Sequence, residues 1–114
     1  MRTLGVVDSP SESVSERVRA ALRTAELLRR AADIARQQSE LALRRAAISH
    51  AVAASEEEEA RNTSDPNHAA PRAQRVKLLE DEARVLKLEA ETLRRESDRL
   101  MAQARTAEQR GRHG

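Results

Sequence analysis

Leu79, Leu86, Leu93 and Leu100 recur at every seventh residue. Val76, Ala83, Ala90 and Ser97 each stand three places before one of them, and Ala104 stands three before Ala107. Steps of three and four return a side chain to one stripe of an α-helix, so the pattern predicts a coiled-coil seam with the leucines at d and the smaller residues at a. It predicts a helix over 71–110, opened by Pro71, whose fixed φ suits a first helical position. Upstream, Val14, Val18, Ala21, Ala25 and Leu28 keep the same alternation. Ala31, Ile34, Leu41, Ile48 and Val52 continue it on a strip about 100° round the helix, which reads as a three-residue discontinuity after Leu28. Gln38 and Arg45 share that second strip, so it is expected to be partly wet.

The start of this first helix is marked by "SPSE". Ser9 suits the N-cap, Pro10 the first helical position, and Glu12 the third, from which it can reach back to the cap. No Gly or Pro follows until Pro66. The sequence therefore predicts a helix over 10–61, on the order of 75 Å long. Residues 62–70 read as a hinge around the turn signal Asp65-Pro66. Residues 1–9 are expected to form a flexible N-terminus, and "GRHG" at 111–114 a frayed tail.

A hinge this short brings the helices back antiparallel. The expected fold is all-α: two long helices forming an antiparallel coiled-coil hairpin. In that arrangement Glu56–Glu59 come near Arg72, Arg75 and Lys77, and Glu12 and Glu16 near Arg105 and Arg110. The flanking charges alone favour a parallel pairing of the second helix with its own copy, which would set Glu82 against Lys87, whereas an antiparallel self-pairing would bring Glu82, Glu89 and Glu96 together; surface pairs of this kind bias orientation without deciding it. Leu78, Val85 and Leu88 lie on the back of the second helix, away from its seam. Two helices bury little surface per residue. The hairpin is therefore expected to self-associate into a four-helix assembly, a homo-oligomer, or to dock onto another helical protein.

Composition narrows the function. The chain has 114 residues, enough for one domain, with no aromatic residue and no cysteine. Burial must come from aliphatic side chains, and disulfides, thiolate catalysis and cysteine-based zinc sites are excluded. Absent cysteines fit the cytoplasm, the expected location. No stretch approaches the roughly 18 apolar residues of a membrane span. Net charge is +2, and residues 11–62 balance nine Arg against nine acids. Such interspersed charge reads as solvated helix surface.

Candidate chemistry is sparse. His50, His68 and His113 have no metal-ligand partner at helical spacing beyond Asp65-x-x-His68, which falls in the hinge. Ser49 and His50 point to different helix faces. No glycine-rich phosphate loop is present, and no cofactor or metal is expected. Asn67 and Arg75 have the eight-residue spacing found in basic leucine zippers, but Pro71 interrupts the helix between them and too few basic residues precede Leu79 to cover many phosphates. The expected function is non-enzymatic: a coiled-coil interaction, scaffolding or regulatory protein that binds protein through Leu28, Ile34, Leu41, Ile48 and Val52 of the first helix and Val76, Leu79, Leu86, Leu93 and Leu100 of the second. The alternative is a small nucleic-acid-binding regulator using Arg94, Arg95 and Arg99 with Arg29, Arg30, Arg44 and Arg45. Without aromatics to stack on bases, such binding would rest on the phosphate backbone and weaken steeply with salt.

Overall fold

A computed structural model of the chain describes residues 10–62 and 65–113, with side chains from residue 14 onward. The expected Ser9 cap, the N-terminal segment 1–9, the side chain of Glu12, and Thr63, Ser64 and Gly114 lie outside the described residues. The rest forms two helices, α1 (Pro10–Asn62) and α2 (Pro66–His113), paired as an antiparallel hairpin. Both are rich in Ala, Arg, Leu and Glu, the residues that lose least on entering a helix. Acid-then-arginine pairs one turn apart reinforce them: Glu26 accepts from Arg30 at 2.6 Å, and Glu91 lies 3.9 Å from Arg95.

Helix α2 begins five residues earlier than the sequence predicts and ends three later. Asp65 caps it: its Oδ1 accepts the Asn67 amide at 3.0 Å, which places Pro66 at the first helical position. Pro71 is thus inside the helix rather than at its start. At the other end Gly111 does not end the helix. It is buried, and a Cβ there would lie 3.1 Å from the Ala21 Cβ and 3.5 Å from the Val18 carbonyl oxygen. Glycine serves here as a spacer between close backbones.

The chain packs as two units, residues 36–95 around the connection, and the remainder of both helices, up to 35 and from 96. In the connection-proximal unit the buried residues of α1 are Ser39, Ala42, Ala46, Ser49 and Ala53, and those of α2 are Ala83 and Ala90. Ser39 Oγ donates to the Ala90 carbonyl at 2.7 Å. A serine hydroxyl reaches a facing main-chain oxygen only where two backbones lie close, which small residues permit. In the distal unit Ala25, Ala32 and Ala35 are buried with Ser97 and Ala104, and Ser97 Oγ donates to the Ala32 carbonyl at 2.8 Å. No large side chain is fully buried among the described residues.

This burial corrects the predicted seam of the first helix. The alternation does not break after Leu28. It runs on through Ala32, Ala35, Ser39, Ala42, Ala46, Ser49 and Ala53, all buried. The strip expected to carry it is outside: Ile34 is 55% exposed, Leu41 49%, Ile48 63% and Val52 44%. The close approach of the backbones leaves no room for branched side chains between them.

The two serine bonds are reciprocal in kind, α1 to α2 in one unit and α2 to α1 in the other. Each uses the second lone pair of a carbonyl within a helix. Ser39→Ala is expected to lower the unfolding free energy by about 0.5–1 kcal/mol, the lost bond being partly offset by alanine's better helix propensity. Urea unfolding followed by circular dichroism at fixed concentration measures it.

Candidate interaction surface

The heptad positions flanking the alanine seam decide what each side of the hairpin shows to water. In the connection-proximal unit one groove beside the seam is lined by Gln38, Leu41, Ala42 and Arg45 of α1 and Glu89 and Leu93 of α2. Ile48 and Val52 lie seven residues beyond Leu41 and Arg45, and Leu86, Leu79 and Glu82 lie at the positions of Leu93 and Glu89 one or two heptads back. All therefore continue this flank. Leu79, Leu86 and Leu93 are half-buried, each with one side against α1 and the other in solvent. The flank is a strip of large aliphatic side chains, crossed by Arg45 on α1 and by the Glu82–Glu89 row on α2.

The opposite groove of the same unit is lined by Ser39, Leu43, Ala90, Glu91, Arg94 and Arg95. One heptad from Leu43, the His50 ring lies 3.3 Å from the Glu80 carboxylate. This side carries charge, with Leu43 and, one heptad before Arg95, Leu88 as its exposed large aliphatic residues. The hairpin is thus two-sided, a property of neither helix alone.

The distal unit has exposed Leu27, Leu22 and Ile34, half-buried Leu28 and Leu100, and an ion pair between Arg29 and Glu108. Glu16 is exposed and has no ion pair among the described residues, so the expected contact with Arg105 or Arg110 does not form there. At the connection the expectation holds for two of three basic residues. Arg72 and Arg75 reach Glu56 at 3.4 and 3.3 Å, and Arg72 lies 3.7 Å from Glu59. These contacts join the last two turns of α1 to the second and third turns of α2, acid against base across the connection.

The residues expected to form the seam therefore divide. Val76, Leu79, Leu86, Leu93, Leu100 and Leu28 are half-buried beside it, and Ile34, Leu41, Ile48 and Val52 are exposed. Leu41 and Leu93 are brought into one groove. Ala25, read as seam, is buried; the row missed by sequence reasoning is its continuation through Ala32, Ser39, Ala46 and Ala53. Its signal was a small residue at every seventh position, hidden by the bulkier residues beside it.

Of the arginines considered for nucleic acid, four have in-chain carboxylates: Arg29 with Glu108, Arg30 with Glu26, Arg95 with Glu91, and Arg99 with Glu96. Near the connection an open groove is lined by residues of both signs, including Glu57, Arg61, Asp65, His68 and Arg72. His68 lies 3.4 Å from Asp65. Among the described residues no group of three or more His, Asp or Glu converges as metal ligands, and no helix is long and apolar enough to cross a membrane. No family model, no curated protein and no solved structure matches this chain.

Proposed function

We propose that the chain is a non-enzymatic interaction module that binds helical protein through its apolar flank, acting as a scaffold or as a regulator that bridges or sequesters its partner. The observation that carries this reading is the segregation within residues 36–95. Leu41, Ile48 and Val52 stand in solvent on one flank, while Glu91, Arg94 and Arg95 line the other, where the His50 ring lies beside Glu80. Isolated exposed aliphatics are ordinary on protein surfaces, but a contiguous strip bounded by charge marks a contact surface. Placing a lysine in such a strip removes apolar contact and strands a charge in the interface.

Capture from an extract of the native host tests it. The wild-type chain is expected to retain a defined protein set, and Ile48→Lys to lose it with unchanged helicity. Identical retention by both chains would overturn the reading. The in-chain pairing of four arginines leaves less positive surface for phosphates. An electrophoretic shift series is therefore expected to show no retardation of duplex or single-stranded nucleic acid even in dilute buffer. Retardation that fades with salt would favour the nucleic-acid alternative instead.

A further inference from the structure

We infer that the partner of the apolar flank is a second copy of this chain, docked so that α1 of one subunit lies antiparallel along α2 of the other, with both connections at the same end. This rests on reading the flank as a contact surface and adds the identity and orientation of what covers it.

A surface that pairs with itself about a two-fold axis must be complementary to itself. The flank of residues 36–95 meets that condition in one orientation. Stacking two hairpins flank to flank allows two choices. If the axis runs across the helices, α1 lies on α1 and α2 on α2. The ridge bearing Arg45 then meets its own copy, and the Glu82–Glu89 row meets an identical row. If the axis runs along the helices, α1 lies on the partner's α2, and the ridge bearing Gln38 and Arg45 meets the ridge bearing Glu82 and Glu89.

The register then places the charges. Ser39 faces Ala90 within the hairpin, so Arg45, six residues further along α1, is level with Arg84 on the antiparallel α2. A two-fold axis along the helices keeps every level, so Arg45 is offset by two residues, about 3 Å, from Glu82 of the partner subunit. By the same count Gln38 is offset by two residues from Glu89 of the partner subunit. Arg45, Glu82 and Glu89 have no ion pair within the described residues of their own chain, which leaves them available for this contact. Leu41 and Ile48 on one ridge, and Leu79, Leu86 and Leu93 on the other, close over the seam. The completed bundle supplies what the hairpin lacks, a core containing side chains larger than alanine.

Sedimentation equilibrium on the purified chain is expected to give twice the mass of 12.7 kDa. Ile48→Lys, at a position 63% exposed in the hairpin, is expected to weaken the dimer by about a hundredfold or more without loss of helicity. Arg45→Glu is expected to weaken it by roughly tenfold, and the double variant Arg45→Glu with Glu82→Arg to recover most of that. The absence of native cysteine allows an orientation test on otherwise intact chains. A chain carrying Arg45→Cys mixed with one carrying Glu82→Cys should form the mixed disulfide, and Arg45→Cys alone should not. A monomeric mass with helicity intact, or Arg45→Cys chains that cross-link to each other as readily as to Glu82→Cys, would overturn the inference. A monomer that still loses a captured host protein on Ile48→Lys would sink self-pairing while sparing the proposed function.

Discussion

An Ala90→Leu chain is expected to unfold at a free energy about 1–3 kcal/mol lower than wild type, although leucine is the more hydrophobic residue and nearly as good a helix former. Counting apolar area alone gives the opposite sign, because a buried leucine removes more surface from water than alanine. Geometry decides it. Ala90 is 2% exposed, and its carbonyl accepts the Ser39 hydroxyl at 2.7 Å. A leucine there forces the backbones apart, breaks that hydrogen bond and loosens Ala46 and Ala83, the neighbouring small residues on the facing rows. Ala47→Leu, at an exposed position of α1, is the matching control, expected to change stability by less than about 0.5 kcal/mol. Thermal and urea unfolding at one fixed concentration, followed by circular dichroism, compare the three chains. Equal or greater stability for Ala90→Leu would mean that the helices do not approach closely at Ser39.

Pro71→Ala is expected to act in the other direction and raise stability by about 1–3 kcal/mol. Because α2 starts at Pro66, Pro71 sits in its second turn, where its ring crowds the Asn67 carbonyl and its missing N–H leaves that carbonyl without a helical donor. The gain has a ceiling. Residues 66–70 are all exposed, so the wild-type helix can relieve the crowding by unwinding that turn and restarting at Pro71, at the expense of the Asp65 cap. The variant should therefore show both a higher unfolding midpoint and slower amide exchange between residues 68 and 71. A gain in neither would place the true start of α2 at Pro71.

The helix-end differences come from the two residue types that usually punctuate helices. Pro71 reads as a start and Gly111 as a stop, because both are assigned by local preference. Asp65 overrides the first by capping a helix that begins with Pro66. Contact with α1 overrides the second, since a residue without a side chain is what fits 3.1 Å from the Ala21 Cβ. The candidate surface was legible in part. The spacing marks Leu41, Ile48 and Val52 as one strip, wetted by Gln38 and Arg45, but hydropathy reads that strip as the seam between the helices.

The sequence by itself determined two long helices, the return between them, the heptad of α2 and the meeting of Glu56 with Arg72 and Arg75. Each follows from local periodicity, turn chemistry or the charge at a chain reversal. Only the tertiary structure decided which face of α1 meets α2. Hydropathy ranks a stripe by the area it could bury and so favours Ile and Leu. Two backbones in close contact select instead for the smallest volume, and that selection exists only once the second helix is in place. The large residues are left on one flank for the same reason: alanine and serine fill the space between the helices.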